Sequence, residues 1–195
     1  MEKQTWYNEL GFEKNPFSIK PTAIEEIIGN QKKVRDLTEK IRDSNIILIY
    51  GEYGAGKTTI LKSIIKEFKG KRKVIYYNCN QNDRSVDFDK LLTNIGLFRR
   101  LFRIKKKNMI LFLDESQDLN LKDMERIKDY FYKDFFKSVV LVSKQEDLKL
   151  TDELKALIGD NKFKINSLNR DDAIKIVRKR IDDKMFISDN NIARI

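Results

Sequence analysis

The residues best suited to chemistry lie in two short segments, each of which follows an apolar run. The first segment, GEYGAGKTT, spans Gly51 to Thr59 and comes directly after the run 45–50. Its glycines let the backbone curl around an anion without Cβ clashes, and successive N–H groups can then point at that anion. The helix predicted to begin at Lys57 adds an N-terminus that attracts negative charge. This arrangement is typical of a loop that binds the phosphates of a nucleotide.

The spacing of Gly51, Gly56, Lys57 and Thr58 fits the pattern G-x-x-x-x-G-K-[ST] at every fixed position. Lys57 is predicted to meet the β- and γ-phosphates of the nucleotide, and the Thr58 hydroxyl to take one position on Mg²⁺. A dinucleotide-binding G-x-G-x-x-G is not formed, because Thr59 stands where the last glycine is needed. We expect ATP or ADP to contact Gly51, Glu52, Tyr53, Gly54, Ala55, Gly56, Lys57, Thr58 and Thr59.

The second segment is a pair of carboxylates after the apolar run from Ile110 to Leu113. A carboxylate buried at the end of a strand costs free energy unless it serves a polar partner. We therefore expect Asp114 to hold Mg²⁺ together with Thr58, and Glu115 to polarise the water that attacks the γ-phosphate. The alternative is an Asp-Glu pair that merely opens a surface loop.

Two further polar residues end apolar runs and are predicted to lie near the same site. Ser143 ends the run 139–142 and is expected to orient the attacking water, with an ordinary strand-end hydroxyl as the alternative. Asn78 lies near the end of the run 74–79 and is predicted to hydrogen-bond Glu115 and gate it. Turn formation is the alternative for an asparagine at the end of a strand. The predicted catalytic residues are Lys57, Asn78, Glu115 and Ser143.

The elements that must position these residues alternate between short apolar runs and longer segments with helical periodicity. Near-continuous apolar strands separated by helices indicate a parallel sheet covered on both faces, an α/β three-layer sandwich. Because parallel strands share one carboxyl edge, the residues that end them come together there. The predicted strands are 45–50, 74–79, 109–114, 139–143 and 163–165, and the helices between them are 57–68, 88–102, 121–136 and 152–158.

The composition restricts the chemistry further. The chain has 195 residues, one cysteine and no histidine, so an intrachain disulfide, a Ser-His-Asp triad and a His-based zinc site are excluded. Its formal net charge of +10 favours polyanionic partners, although lysine- and glutamate-rich surfaces also serve solvation and ion pairing. No apolar run approaches the roughly 18 residues needed to cross a membrane, and the N-terminus contains no apolar signal segment. We therefore expect a cytoplasmic protein without a membrane partner.

On these motifs the chain resembles the AAA+ P-loop ATPases. The glycine loop is similar to their Walker A motif, 110–115 to Walker B with its glutamate, and Ser143 to sensor 1. Ile28-Gly29-Asn30 looks like the segment that lines the adenine ring, which implies a nucleotide contact for Ile28. The segment LGFEKNPF at 10–17 is similar to the N-terminal signature of archaeal origin-recognition proteins and helicase loaders, and of related transposition and secretion ATPases. The resemblance implies a P-loop NTPase sheet with the strand order 5-1-4-3-2.

The resemblance also implies a division of the chain and two functional arginines. Residues 1–166 correspond to the nucleotide-binding α/β domain and 167–195 to the start of a helical lid. An arginine finger is expected after sensor 1, but 127–169 contains no arginine, and Lys155 or Lys162 would be a poor substitute. The lid candidates for the sensor-2 role are Arg170, Arg178, Arg180 and Arg194. A slow ATP-dependent switch is compatible with this pattern.

The densest basic segment lies just before the third predicted strand. It would contact DNA through phosphates, with strong salt dependence and little sequence specificity, and solvated loops are the alternative. The predicted DNA contacts are Arg99, Arg100, Arg103, Lys105, Lys106 and Lys107. The leading hypothesis is an ATP-binding and ATP-hydrolysing switch that acts on DNA or on a DNA-bound complex. The alternatives are a regulatory ATPase with a protein partner or a homo-oligomeric assembly and no nucleic-acid role, and a small-molecule phosphotransferase.

Overall fold

The computed structural model describes residues 5–13, 15–18, 27–68, 74–80, 85–93, 107–181 and 187–192. Within these residues, short apolar strands alternate with helices. The strands are β1 (Ile46–Tyr50), β2 (Val74–Asn78), β3 (Met109–Asp114), β4 (Phe136–Ser143) and β5 (Lys162–Lys164). The helices are α1 (Trp6–Glu9), α2 (Gln31–Arg42), α3 (Lys57–Phe68), α4 (Phe88–Thr93), α5 (Leu121–Tyr132), α6 (Asp152–Ile158), α7 (Arg170–Arg180) and α8 (Asp189–Ile192), with a 3-10 turn at Ser116–Asp118.

The strands form one parallel sheet in the order β2-β3-β4-β1-β5. This is the order 5-1-4-3-2 implied by the resemblance, so the predicted P-loop NTPase fold is confirmed. The register places Asn78 beside Asp114 across β2 and β3, and Tyr50 beside Ser143 across β1 and β4. The carboxyl ends that carry the predicted site residues therefore meet at one edge of the sheet.

Helices cover both faces of the sheet because alternate strand residues point to opposite sides and are apolar on each. On one face, Leu48, Leu111 and Leu141 pack in a buried core with residues of α4, α5 and α6. On the other face, Ile49 and Phe112 pack with residues of α2 and α3. Every residue of β3 is buried, which explains why its sequence is a continuous apolar run that ends in a carboxylate.

The predicted end of one helix and the predicted start of the strand that follows it are both wrong. The helix predicted over 121–136 ends at Tyr132, and β4 begins at Phe136 instead of Val139. Asp134 adopts a φ of 58°, a left-handed conformation that cannot continue a right-handed helix. The apolar spacing of a helix continues through this turn, so periodicity alone could not locate the change.

The described residues after the sheet form the two helices α7 and α8, in the range predicted to begin the lid. Asn169 caps α7, because its side chain accepts a hydrogen bond from the N–H of Asp172 at 2.8 Å. The division of the chain into 1–166 and 167–195 stays a prediction. Across the part of the chain that the structure describes, every helix is too short or too polar to span a bilayer.

Candidate functional site

The glycine loop connects β1 to α3 at the carboxyl edge of the sheet. Gly54 and Gly56 adopt φ values of 81° and 87°, a left-handed region that other residues rarely enter. A Cβ at either position would meet no atom within 4 Å, so both glycines face open space. This open side of the loop, next to the N–H groups that begin α3, fits the phosphate chain of a nucleotide.

Gly51 has a different role, because another part of the chain passes directly against it. A Cβ there would lie 2.3 Å from the backbone carbonyl oxygen of Ile165, the residue just after β5. The N–H of Ile165 donates to the carbonyl oxygen of Tyr50 at 2.7 Å. Only glycine fits this close approach. The beginning of the loop is therefore anchored to the segment that leads into α7.

Lys57, the first residue of α3, lies over the loop. Its Nζ donates to the carbonyl oxygens of Gly51 at 2.7 Å and Glu52 at 2.8 Å. Partial burial lowers the pKa of Lys57 from its usual value. The ammonium group therefore lies at the mouth of the loop, where a phosphate group of a bound nucleotide would meet it.

Asp114, the last residue of β3, is the centre of the predicted metal site and is only 2% exposed. Its Oδ2 accepts hydrogen bonds from Thr58 Oγ1 at 3.0 Å and from the Tyr76 hydroxyl at 3.1 Å. Its Oδ1 accepts from the N–H of Glu115 at 3.1 Å. Burial, followed by the charge of Asp114, raises the pKa of Tyr76 to about 12, so the phenol remains a hydrogen-bond donor at neutral pH.

The donor set of this site fits Mg²⁺. Magnesium is commonly bound by one or two protein oxygens together with substrate phosphates and water. Thr58 and Asp114 bring a hydroxyl and a carboxylate together beside the glycine loop. Among the described residues, no three acidic, cysteine or histidine side chains cluster as they do in a site that holds a metal with protein groups alone. The Thr58 hydroxyl and the Asp114 carboxylate therefore match the protein's share of a magnesium site that is completed by phosphates and water.

Glu115 follows Asp114 in a strained conformation and is held by two side chains. Its φ of 56° and ψ of 44° lie in the left-handed region, which costs a residue with a Cβ about 1–2 kcal/mol. Such strain concentrates at functional sites. Gln117 Nε2 donates to Glu115 Oε2 at 2.6 Å, and Lys144 Nζ lies 3.5 Å from the same oxygen. Both contacts orient the carboxylate through one of its oxygens.

Ser143 is buried at the end of β4, and its Oγ accepts a hydrogen bond from the N–H of Gln145 at 3.3 Å. A second serine fixes the ends of β3 and β4 relative to each other. Ser116 Oγ donates to the carbonyl oxygen of Leu113 at 2.7 Å and accepts from the N–H of Val142 at 3.0 Å. These bonds set the distance between the end of β4 and the carboxylates that end β3.

Asn78 lies at the same edge, but its side chain takes part in a turn. The carboxamide Oδ1 accepts a hydrogen bond from the N–H of Asn80 at 2.9 Å. This bond agrees with the turn formation considered for an asparagine at the end of a strand. The Glu115 carboxylate is held by Gln117 and Lys144, and a hydrogen bond from Asn78 that gates Glu115 stays a prediction.

The segment that contains Ile28 lies against Leu168 and the first turn of α7. Gly29 has a φ of 95°, and a Cβ there would lie 2.8 Å from Leu168 Cδ2 and 3.2 Å from Asp172 Oδ2. Ile28 is half-buried. Lys33 Nζ, in the first turns of α2, donates to the carbonyl oxygen of Lys164 at 2.7 Å. The adenine contact of Ile28 stays a prediction, and its segment packs near the chain that follows β5.

The four arginines considered for the sensor-2 role differ in their contacts and exposure. Arg170 donates to Asn190 Oδ1 at 3.0 Å, and Arg178 donates to Asp189 Oδ1 at 2.9 Å, so both tie α7 to α8. Arg180 is exposed at the end of α7, and Arg194 lies outside the described residues. The structure therefore gives Arg170 and Arg178 a role in holding α7 and α8 together.

The predicted DNA contacts lie mostly outside the described residues. This applies to Arg99, Arg100, Arg103, Lys105 and Lys106. Lys107 is described and exposed, and its ammonium lies 5.8 Å from the centre of the Phe135 ring, a cation–π contact. DNA contact by this segment stays a prediction.

Sequence reasoning missed three side chains at the site: Tyr76, Gln117 and Lys144. Tyr76 precedes Asn78 by two residues, so the two-residue period of a strand put it on the same face and was an available signal. Lys144 directly follows the predicted strand end at Ser143. The contact of Gln117 depends on the 3-10 turn after Glu115, which no sequence pattern indicated.

A protein-family model described as an AAA domain matches residues 43–169 of the chain. This range contains the five strands, the glycine loop and the carboxylate pair. A curated relative, the Holliday junction branch migration complex subunit RuvB of Mycoplasma genitalium, is 30% identical over 139 residues. The match covers 68% of this chain and 41% of the relative.

Solved structures with low sequence identity share the fold. Cdc6p from Pyrobaculum aerophilum has a TM-score of 0.66 at 15% identity, and the match covers 91% of this chain and 56% of that one. The ORC1 protein of Aeropyrum pernix, solved in complex with DNA, has a TM-score of 0.67 at 16% identity, with coverage of 84% and 52%. The chain thus spans about half the length of the proteins that it matches.

Proposed function

The chain belongs to the AAA domain family, and from that premise we propose that it binds and hydrolyses ATP as a slow switch acting on DNA or on a DNA-bound complex. One observation carries the proposal. The Thr58 hydroxyl, which follows Lys57 at the start of α3, lies 3.0 Å from the Asp114 carboxylate, and Glu115 directly follows Asp114. Groups suited to nucleotide binding and groups suited to hydrolysis therefore occupy the same edge of the sheet.

The glycine loop binds the phosphate chain in this proposal. Its N–H groups and Lys57 meet the phosphates, and Gly54 and Gly56 leave that side of the loop open. The adenine lies near Ile28, where the segment before α2 packs against the chain after β5. The remaining loop residues expected at the nucleotide are Gly51, Glu52, Tyr53, Ala55 and Thr59.

Thr58 and Asp114 are the proposed ligands of the Mg²⁺ that accompanies ATP. When bound, this ion supplies positive charge to the β- and γ-phosphates. The contribution of the chain is to hold the hydroxyl and the carboxylate 3.0 Å apart. The hydroxyl of Tyr76 and the N–H of Glu115 fix the Asp114 carboxylate from both of its oxygens.

Glu115 is the proposed general base. Its carboxylate accepts a proton from the attacking water as the water oxygen bonds to the γ-phosphorus, and the bond to the bridging oxygen of ADP breaks. A carboxylate is the natural base in a chain without histidine. Ser143 is proposed to orient the water, and its burial at the end of the neighbouring strand β4 supports this role. Water activation by Glu115 favours hydrolysis over phosphate transfer to a metabolite.

DNA is the proposed polyanionic partner because of the net charge of +10 and the basic segment before β3. The names of the relatives agree with this choice, since one is a branch migration subunit and another was solved in complex with DNA. The alternative is a regulatory ATPase that acts on a protein partner or on copies of itself. The slow-switch character follows from the absence of arginine at 127–169.

The first test measures ATP binding and turnover by the full chain. We expect Lys57→Ala to weaken ATP binding by about tenfold or more, because it removes a charge-assisted contact. We expect Glu115→Gln to keep ATP binding and to slow turnover by about 100-fold or more, as loss of a general base does. Glu125→Gln, an exposed change on α5, is the matched control and should alter neither. Absence of ATP binding in the unchanged protein would refute the proposal, and normal turnover by Glu115→Gln would refute the role of Glu115.

The second test separates DNA from a protein partner. DNA affinity is measured against salt concentration, and turnover is measured with and without DNA. Log affinity falls as log salt rises, and each neutralised phosphate of duplex DNA contributes about 0.9 to the steepness of this fall. Replacement of Arg99, Arg100 and Arg103 by glutamine should therefore make the fall less steep by about 2–3. The control replaces exposed basic residues of α2, namely Lys32, Arg35 and Lys40. An unchanged slope in the first variant, or no DNA binding at all, would favour the protein partner.

A further inference from the structure

Asp172 lies in the first turn of α7, and its carboxylate lies against Gly29. A Cβ at Gly29 would lie 3.2 Å from Asp172 Oδ2 and 2.8 Å from Leu168 Cδ2. Gly29 also has a φ of 95°, a conformation that residues with a side chain rarely adopt. The absence of a side chain at Gly29 therefore leaves room for a carboxylate between the segment before α2 and the start of α7.

This carboxylate is largely buried, yet it lacks the hydrogen bonds that burial normally requires. Only 19% of the Asp172 side chain is exposed. Within the described ranges, its carboxylate pairs with Lys175 Nζ at 3.9 Å, which is beyond hydrogen-bond distance. The bond from Asp172 to Asn169 uses the backbone N–H and leaves the carboxylate oxygens available. Burial of a carboxylate without a donor costs free energy, which a ligand with an N–H group can offset.

The chain that leads into α7 passes from the glycine loop to the neighbourhood of Gly29. The carbonyl oxygen of Ile165 lies against Gly51, and three residues later Leu168 lies against Gly29. Three residues of chain span at most about 11 Å. The phosphate-binding loop and the segment proposed for the base therefore both border this short stretch, and Asp172 lies at the end proposed for the base.

We propose that Asp172 determines which base the site accepts, because its carboxylate accepts a hydrogen bond from the exocyclic amino group of adenine. This inference rests on the proposed nucleotide site. An ionised carboxylate has acceptors and no donor, so it favours a base that presents an amino group. Adenine presents N6–H₂ where guanine and hypoxanthine carry a carbonyl oxygen, which the carboxylate would repel. Asp172 thus makes the site selective for adenine nucleotides.

Asp171 is the matched control for Asp172. It is the neighbouring acid in the first turn of α7, and it is exposed. A negative charge at either position favours the N-terminus of the helix, so this effect on stability is shared by the two residues. The contact with Gly29 is made by the Asp172 carboxylate. A difference between the two variants therefore reports on that contact.

The test measures the dissociation constants of four diphosphates with Mg²⁺ in the full chain: ADP, GDP, IDP and purine riboside diphosphate, which lacks the amino group. We expect the unchanged protein to bind ADP at least about tenfold more tightly than the other three, the value of one hydrogen bond to a charged group. Asp172→Ala should bind all four with nearly equal affinity, and Asp171→Ala should keep the preference for ADP. Asp172→Asn keeps an acceptor and adds an amide donor, so it should narrow the gap between ADP and IDP. Thermal unfolding of each variant checks that the fold is retained.

The outcomes separate this inference from the proposed function. If the unchanged protein binds the four nucleotides equally, or if Asp172→Ala keeps the preference for ADP, the role of Asp172 is refuted and the nucleotide site stands. A preference for GDP that Asp172→Ala abolishes would refute the assignment to adenine. If the unchanged protein binds no nucleotide, both proposals fail. Loss of the preference for ADP in Asp172→Ala, with the preference intact in Asp171→Ala, supports the inference.

Discussion

Thr58 and Asp114 are 56 residues apart in the chain, yet Thr58 Oγ1 lies 3.0 Å from Asp114 Oδ2. The contact exists because α3 begins at the carboxyl edge of the sheet where β3 ends. Asp114 is almost completely buried, and a buried carboxylate requires hydrogen bonds to offset its lost hydration. Tyr76 and the N–H of Glu115 supply the others. This hydroxyl and this carboxylate are the proposed ligands of the magnesium ion that accompanies the nucleotide.

Replacement of Asp114 by asparagine should weaken Mg²⁺-dependent nucleotide binding. The neutral amide removes the negative charge that attracts the ion, and we expect the Mg²⁺ concentration at half-saturation to rise by about 10–100-fold. The measurement is a Mg²⁺ titration of the binding of a non-hydrolysable ATP analogue. Asp118→Asn, an exposed change in the 3-10 turn, should leave the titration midpoint where it is. An unchanged midpoint in Asp114→Asn would show that the metal lies elsewhere.

Gly51→Ala should destabilise the fold. Its Cβ would lie 2.3 Å from the backbone oxygen of Ile165, and backbone cannot move aside as a flexible side chain can. We expect the free energy of unfolding in denaturant to fall by about 3 kcal/mol, the upper part of the range for overpacking. Gly54→Ala is the comparison, because its Cβ meets open space and only the left-handed φ costs about 1–2 kcal/mol. Equal losses in the two variants would contradict the close approach at Gly51.

Gly54→Ala should weaken nucleotide binding by more than its small loss of stability explains. The new Cβ enters the open side of the loop, where the phosphates are expected to lie. We expect ATP affinity to fall by at least about tenfold, since the phosphates would be displaced from the backbone N–H groups. Isothermal titration calorimetry, at a temperature where the variant is fully folded, measures the dissociation constant of ATP. Gly159 also has a positive φ but lies after α6, so Gly159→Ala should leave the ATP affinity of the protein unchanged.

Ser116→Ala should loosen the connection between β3 and β4. The change removes the hydroxyl that accepts from the buried N–H of Val142, and an unsatisfied buried donor costs about 1–3 kcal/mol. Hydrogen exchange should therefore accelerate at the Val142 amide more than at the other amides of β4. Ser188→Ala, an exposed position before α8, serves as the control. Unchanged protection of Val142 would show that this bond contributes little.

Tyr76→Phe should change how stability depends on alkaline pH. The pKa of Tyr76 is raised from 10.0 to about 12, mainly by burial and then by Asp114. A raised pKa in the folded state means that the neutral phenol stabilises the fold below pH 10, and that this contribution is lost as the pH rises from 10 to about 12. The variant has no such group, so its loss of stability over this interval should be smaller than that of the unchanged protein. Unfolding in denaturant at each pH measures this, with Tyr132→Phe at an exposed site as the control. Parallel curves for the unchanged protein and Tyr76→Phe would contradict the assignment.

Much of the architecture was predictable because it depends on local pattern. The glycine loop, the helix that starts at Lys57 and the run that ends in Asp114 each follow from residues that are neighbours in sequence. The alternation of apolar strands and helices predicts a parallel sheet, and its strand order followed from the resemblance to AAA+ ATPases. Such features repeat a short-range period or spacing that the chain carries in any context.

The end of α5 was not predictable from the period. Helical spacing of apolar residues continues past Tyr132, and the helix ends because Asp134 takes a left-handed conformation that lets Phe136 join the sheet. Burial of Phe136 against the rest of the core outweighs the local preference for helix. Tertiary packing decided this boundary.

The sequence by itself determined which groups are available at the sheet edge: a phosphate-binding loop, a lysine, a hydroxyl and two carboxylates, with no histidine to compete as a base. The tertiary structure alone decided which side chains hold them. It placed Tyr76 on Asp114, and Gln117 and Lys144 on Glu115, and it turned Asn78 toward Asn80. The reason is physical. Strand ends are encoded by local periodicity, whereas a contact between side chains of different elements depends on register, rotamer and burial, which exist only in the assembled sheet.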